Sequence, residues 1–359
     1  FFGRELRPGL CSPCGMSEAL LEIDGSFGEG GGQILRTSLA LALLTGRGFH
    51  LRNVRARRPK PGLQPQHLMS VRAAATVGNA ATRGASLGSS DLVFEPGQVR
   101  GGKYRFDIGT AGATGLVLHT LYLPLALRGE VPSELTLTGG THVSTSPCYH
   151  FLDVTWRRYL EACGLRARLR MVRPGFYPRG GGVVEAFVQP CPRLHGLRLR
   201  ERGPVRATGF SAVAGLDVSI AKRQARRAAY RLGQQGVKAT FREETWEGGP
   251  GTVLAVELDT APAPTLFFAL GARGKPAERV ADEAVDQAVA YLEAGPALVD
   301  EHSADQLVLP LALAEGPSEY TTARVTTHLT TNVAVIRRFI ERDIVCEGEE
   351  GGPGRVRIT

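Results

Sequence analysis

Three short segments carry residue types suited to phosphate chemistry. The first is Gly28-Glu-Gly-Gly-Gly-Gln-Ile-Leu-Arg36. Glycines let backbone amides approach an anion, and a helix starting there adds partial positive charge. Arg36 lies one turn into that helix and can complete an anion site, while Glu29 offers a carboxylate for a divalent metal beside phosphates. No Gly-Lys-Ser/Thr follows, so the segment is not a P-loop, and its spacing does not fit the dinucleotide-binding fingerprint. A tight turn that needs glycine for steric reasons accounts for the same residues.

The second segment, Arg55-Ala-Arg-Arg-Pro-Lys-Pro-Gly-Leu-Gln-Pro-Gln-His67, places Arg55, Arg57, Arg58 and Lys60 in one short loop held open by Pro59 and Pro61. A guanidinium fork suits bidentate recognition of phosphate. Alone this would read as a solvated basic loop; Gln66 and His67 at the next helix start favour a ligand site. The third segment is Arg324-Val-Thr-Thr-His328-Leu-Thr-Thr-Asn332. Its alternation predicts a strand that delivers His328 just before a helix N-terminus. A neutral imidazole there can attack phosphorus, with the helix dipole helping to hold the phosphate; an isolated histidine is otherwise commonly structural. The stretch Ala221 to Arg231 adds five basic residues on one helix, either an RNA contact or a solvated face.

The elements that must position these residues follow from periodicity. A strand over 19–24, a glycine-rich turn over 25–32 and a helix over 33–44 open the chain, and a strand (49–54) and a helix with Pro65 at its first position come next. The loop 109–115 opens into the apolar run 116–127, and the loop 303–306 into 307–314. With the first segment, these are three polar loops that each lead into a small-residue apolar helix, which predicts a core of about three repeated strand–helix units. Texture changes between 201 and 294: strands are expected near 206–214, 238–241, 252–258 and 265–270, with helices over 219–232 and 276–292, consistent with an inserted α/β domain. A strand through Val325 and a helix from about Asn332 to Ile340 close the pattern.

The chain has 359 residues, which suits about two domains, and 43 Lys and Arg against 35 Asp and Glu give a net charge of +8, a balance that fits a polyanionic partner. No apolar run reaches the ~18 residues that span a membrane. Six cysteines are scattered without a secretory signal, so reduced thiols and a cytoplasmic location are expected, and the Cys11–Cys14 spacing has no second pair to make a zinc site. Residues 1–15 have no periodicity and are expected to be an unstructured extension, with Met16 as the functional start.

Taken together, these segments resemble the RNA 3′-terminal phosphate cyclase family. The resemblance runs from Asp24–Arg36 through Arg55–His67, Gly175-Phe-Tyr-Pro-Arg-Gly-Gly-Gly-Val-Val184, Ala304–Pro310 and His328–Asn332, in collinear order over about residues 20 to 359. It implies an α/β (α+β) fold with three repeated βαβαββ units, the core being residues 16–200 and 295–359, and a small α/β domain inserted at 201–294. It implies an ATP-dependent enzyme of the ligase class that converts an RNA 3′-phosphate into a 2′,3′-cyclic phosphate, through a histidine–AMP and an RNA(3′)pp(5′)A intermediate. In that reading His328 is the nucleophile and Glu29 the carboxylate for Mg²⁺ or Mn²⁺. Arg36, Arg55 and Arg58 face phosphates, Gln66 and His67 belong to the active site, and Asp305 and Gln306 hold the nucleotide and orient the nucleophile. Pro147, Phe268 and His302 belong to the nucleotide pocket.

Some positions depart from the familiar bacterial pattern: His302 replaces a tyrosine, His119 a glutamine, Pro174 a basic residue, and His142 an acidic one. They bear on the pocket, not on the nucleophile. A non-catalytic cyclase-like protein of ribosome assembly is the first alternative, and an enolpyruvyl-transferase-like enzyme built from similar units is the second; the histidine at 328 argues against both. The oligomeric state is open in the sequence, with a homodimer among the candidates.

Overall fold

The computed structural model describes residues 19–200, 202, 205–295 and 297–359. The expected extension 1–15, with Cys11, Cys14 and Met16, lies outside the described residues.

The chain begins with β1 (Leu21–Asp24), α1 (Gly32–Thr45), β2 (Phe49–Arg52), α2 (Pro65–Gly78), β3 (Ala81–Arg83) and β4 (Leu92–Glu95). Their sheet runs β1-β2-β4-β3, with β1 parallel to β2 and the other pairs antiparallel. The pattern repeats in β5 (Lys103–Asp107), α3 (Thr114–Arg128), β6 (Ser133–Gly139), a π-helical turn over Phe151–Trp156 running into α4 (Arg157–Ala162), β7 (Ala167–Arg173) and β8 (Gly182–Val188), ordered β5-β6-β8-β7. It returns a third time in α7 (Glu301–Ala312), β13 (Ser318–Thr322), α8 (Thr327–Phe339), β14 (Ile344–Glu347) and β15 (Gly354–Ile358). Here the first strand is reduced to a single parallel bridge from Val299 to Thr322, beside a β13-β15-β14 sheet.

Between the second and third repeats lie β9 (Arg206–Ala214), α5 (Val218–Gln234), β10 (Ala239–Trp246), β11 (Gly251–Asp259), β12 (Thr265–Leu270) and α6 (Ala277–Glu293). Their strands form a separate sheet, β10-β9-β11-β12. Strand β11 shows why it reads as continuously apolar. Val253 and Ala255 enter the main core, while Leu254, Val256 and Leu258 enter a second cluster beneath α5 and α6. Successive side chains point to opposite faces, so a strand covered on both sides loses its alternation.

Three expectations need correction. The helix bearing His328 starts at Thr327, not near Asn332, because the Thr326 side chain accepts from Leu329 N and caps it. The preceding strand ends at Thr322, and Val325 makes only an isolated bridge to Glu350. Residues 303–306 are not a loop but the first turn of α7, since Asp300 Oδ1 accepts from His302 N and Ser303 N. In α5, Arg223, Arg227 and Arg231 pair with Glu278, Asp282 and Asp286 of α6, which leaves Lys222 and Arg226 exposed on the outer side. Most of that basic face is therefore a helix–helix zipper. No helix among the described residues is long and apolar enough to cross a membrane.

The capping geometry gives one test. Thr326→Ala should lower unfolding free energy by about 1 kcal/mol in urea titration, the usual cost of losing such a cap. An unchanged midpoint would show that the first turn of α8 does not depend on Thr326.

Candidate active site

The glycine-rich turn folds back on itself at Gly28 and Gly30, whose φ angles of 54° and 57° lie in the left-handed region. Residue 28 has a second constraint: a Cβ there would fall 2.1 Å from Thr331 Oγ1 of α8. The turn leaves the Glu29 side chain only 4% exposed and ion-paired with Arg58 Nη2. Gln33 N donates to Glu29 Oε1 at 3.3 Å, so the carboxylate sits over the open end of α1. The glycines that follow leave room for a convergence of side chains. A Cβ on Gly31 would lie 2.3 Å from Glu29 Oε2 and 2.7 Å from Arg58 Nη2. One on Gly32 would lie 2.5 Å from His67 Nε2 and 2.8 Å from Arg36 Nη1.

The basic loop holds its shape through its own backbone. Arg55, at φ 55°, donates from Nη1 to Lys60 O at 2.5 Å and Gly62 O at 3.1 Å. Arg57 Nη1 reaches Gly28 O at 3.1 Å and ties this loop to the glycine turn. Proline at the first position of α2 then sets Gln66 and His67 in its first turn. Gln66 Oε1 accepts from Ala113 N at 2.9 Å, which joins α2 to the start of α3. His67 is buried; burial and then Arg36, Arg55 and Arg58 push its pKa down to about 3, so the ring is neutral. Its Nδ1 has no hydrogen-bond partner.

His328 enters from the far end of the chain, in the first turn of α8. Its Nδ1 lies 2.6 Å from Gln33 Oε1 and 3.9 Å from Glu29 Oε2. A carbonyl oxygen can only accept, so Nδ1 carries the proton and Nε2 keeps its lone pair. Burial lowers the pKa of the ring below 6.5; Glu29 opposes this, and Arg36, Arg58 and His302 add to it. The side chain is nevertheless 48% exposed, so a neutral nitrogen faces solvent beside a cluster of guanidinium groups. Gln33 is the functional residue that the sequence reading quoted without giving a role. Its one signal is polarity in the first turn of a helix that is otherwise apolar on its inner side.

Asp305 lies in α7 with Oδ1 fully enclosed and without a hydrogen-bond partner, as is Gln306 Oε1. Burial, then the neighbouring Asp300, raises the Asp305 pKa to about 8 against the pull of Arg36. Arg36 itself is pushed to about 10 by burial. Asp305 is therefore protonated at neutral pH, and Glu29 is the carboxylate left to balance Arg36, Arg55 and Arg58. The site carries excess positive charge, which favours an anionic ligand.

Neither Asp305 nor Gln306 bonds to His328. Asp305 acts through its backbone oxygen, which accepts from Asn332 Nδ2 at 2.7 Å. His302 is exposed near His328. Pro147 lies against the first turn of α3, where its oxygen is 3.3 Å from the Cβ position of Gly115. Phe268 is half-buried on β12. Neither Pro147 nor Phe268 shares a hydrogen bond or ring contact with the Glu29–His328 group among the described residues. His119 is buried against Trp156, with ring centroids 5.0 Å apart, and burial and then Arg36 push its pKa down to about 3.

Asp305 yields a pH test. The folded protein holds a proton on it up to about pH 8, whereas an unfolded chain releases it near 3.8. The unfolded state binds fewer protons between these values, so this group's contribution to stability falls as pH rises through that window. Thermal melts at pH 5 and pH 8 should show wild type losing more stability than Asp305→Asn over that range. Parallel losses would mean that Asp305 is already ionised.

Comparison with known proteins gives a consistent picture. A family model described as RNA 3′-terminal phosphate cyclase matches residues 27–346. A protein of that name from Pseudomonas fluorescens is 46% identical, over 90% of this chain and 94% of its own length. Its namesake in Methylococcus capsulatus is 45% identical, over 94% of this chain and 96% of its own. The one in Caldivirga maquilingensis is 42% identical, over 90% of this chain and 94% of its own. The chain that brings Glu29, Arg58, Gln33 and His328 together from its two ends thus belongs to the RNA 3′-terminal phosphate cyclase family.

Proposed function

We propose that this chain is an ATP-dependent RNA 3′-terminal phosphate cyclase that works through a histidine–AMP intermediate on His328. The observation that carries the reading is the 2.6 Å contact of His328 Nδ1 with Gln33 Oε1. It leaves Nε2 unprotonated beside a cationic pocket, the form a nucleophile needs for attack on a phosphate. The named relatives supply the substrate class: an RNA 3′-phosphate end.

In the first step the Nε2 lone pair attacks the α-phosphorus of ATP, the bond to the bridging oxygen breaks, and pyrophosphate leaves with the electron pair. The Nδ1 proton stays shared with Gln33. The RNA 3′-phosphate oxygen then displaces His328 and takes the adenylate, giving RNA(3′)pp(5′)A. The adjacent 2′-hydroxyl attacks the 3′-phosphorus, its proton is lost, and AMP departs as the 2′,3′-cyclic phosphate forms. Arg36, Arg55 and Arg58 are assigned to the phosphates, where buried or partly buried guanidinium groups stabilise developing charge. Asp305 and Gln306, with enclosed oxygens that lack partners, are assigned to the nucleotide, and Pro147, Phe268 and His302 to its base.

Among the described residues no group of three or more His, Cys, Asp or Glu side chains is placed to hold a metal. A lone buried carboxylate still fits Mg²⁺ or Mn²⁺ arriving with a triphosphate, because such ions are commonly held by one carboxylate plus phosphate oxygens. Glu29 would be that ligand, and the ion would neutralise phosphate charge. The same reading takes 201–294 as a domain inserted into the cyclase core. It places the reaction in the cytoplasm, where the free Cys148, Cys163 and Cys191 stay reduced.

Incubation with ATP labelled on the α-phosphate should give an acid-labile, base-stable label on wild type and none on His328→Ala. A folded wild type that takes no label with either metal would overturn the mechanism. Gln33→Leu should slow labelling roughly two- to ten-fold, the net worth of one solvent-accessible hydrogen bond, with ATP affinity little changed. The labelling rate should fall at low pH only below pH 6.5, where protonation removes the Nε2 lone pair. An acid limb centred above 6.5 would contradict a depressed His328 pKa.

A further inference from the structure

The segment Gly175–Gly182 belongs to the sequence resemblance, yet none of its side chains takes part in the site described above. It contains the most exposed of the large apolar side chains in the structure. Tyr177 is 77% exposed, while the preceding Phe176 is 6% exposed. The contrast has a structural cause. Phe176 stacks on His142 with centroids 5.3 Å apart. His142 is fixed in turn by Thr141 Oγ1 at 2.8 Å and by His150 Nδ1 at 3.0 Å. Gly175 O accepts from both Thr141 N and His142 N. Gly180 N closes the turn onto Phe176 O at 2.7 Å, and Arg173 Nε braces it through Gly181 O at 2.7 Å. The loop is thus held at both ends, and Tyr177, Pro178 and Arg179 stand outward from a rigid base.

This base adjoins the site. A Cβ on Gly180 would meet Ala111 Cα at 2.7 Å and Thr110 O at 2.8 Å. One residue on, a Cβ on Gly112 would lie 3.0 Å from Gln66 Cβ, and Ala113 N bonds Gln66 Oε1. Gln66 precedes His67, whose ring meets Arg36 over Gly32. The base of the loop at Gly180 thus packs on the 110–113 segment that Gln66 of the site holds, and Tyr177 and Arg179 stand exposed on that base. Among the described residues neither Arg179 nor the ring of Tyr177 has a salt bridge or ring contact. An exposed aromatic that packs against nothing, next to free guanidinium charge, is how proteins hold single-stranded nucleic acid: the ring stacks on a base and the cation meets the backbone.

We infer that Tyr177 and Arg179 form a docking platform for the single-stranded RNA just upstream of the 3′-phosphate end. Tyr177 stacks on a base and Arg179 contacts a backbone phosphate. The platform rests on the cyclase reading for its ligand and adds to it a contact that holds the strand rather than the reacting group. It recognises no base edge, so it accepts many sequences and favours substrates long enough to reach it.

The test compares two 3′-phosphorylated substrates, a dinucleotide and an unstructured ten-nucleotide RNA, with self-labelling by ATP as a separate readout that uses no RNA. Tyr177→Ala should raise KM for the ten-nucleotide RNA about ten-fold, the usual effect of losing one base–aromatic stack, and leave the dinucleotide unchanged. Tyr177→Phe, which keeps the ring, should behave as wild type. Arg179→Ala should also raise KM for the longer RNA and flatten its dependence on salt, by about 0.7 in the log–log slope. Normal self-labelling with an unchanged KM for the longer RNA in the double variant would overturn the platform. Absence of self-labelling in the wild type would instead overturn the nucleotidyl-transfer reading.

Discussion

The site depends on one joint between the two ends of the chain. Thr331 and Asn332, neighbours on α8, reach back to the first repeat. Thr331 Oγ1 accepts from Glu29 N at 3.0 Å, and Asn332 Oδ1 accepts from buried Thr37 Oγ1 at 2.7 Å. Asn332 Nδ2 also holds Asp305 O on α7. These three bonds fix the axial position of α8 against α1 and α7, and with it the distance from His328 to Gln33. They are buried or partly buried polar contacts, so breaking one strands a partner without water. Apolar packing between helices tolerates small shifts; this joint does not.

The charge arrangement follows from that geometry. Three arginines from the first repeat crowd a space shared with Glu29, which pairs with Arg58, and with Asp305, which burial keeps neutral. Burial, and after it the crowded cations, lowers the pKa of both His67 and His328. The protein thereby keeps two imidazoles uncharged in a region where burial and neighbouring guanidinium groups disfavour any further positive charge. A phosphate group arriving there relieves the repulsion among the guanidinium groups, which is a source of affinity that does not need a preformed metal site.

Much of this was readable in the residues. Glycine spacing, the proline before Gln66 and the loops that open α1 and α3 marked turns and helix starts that the structure shows, because those features act locally. What escaped was set by side-chain contacts far apart in sequence. The start of α8 was misplaced by five residues because Thr326 caps it, and alternating Thr and Val had suggested a strand. The first turn of α7 was taken for a loop because Asp300 was not recognised as its cap. The arginines of α5 read as either an RNA contact or a solvated face, yet α6 carries acidic partners at matching spacing that pair with three of them. Gln33 gained meaning only when a histidine 295 residues later came within 2.6 Å.

That separation has a consequence for synthesis. Glu29 and the arginines emerge early in translation and His328 much later, and the bonds that align them cannot form until α8 is complete. A chain that has not yet made α8 therefore has the glycine turn and the basic loop without the partners that align them. The site is complete only in a chain whose two ends have met.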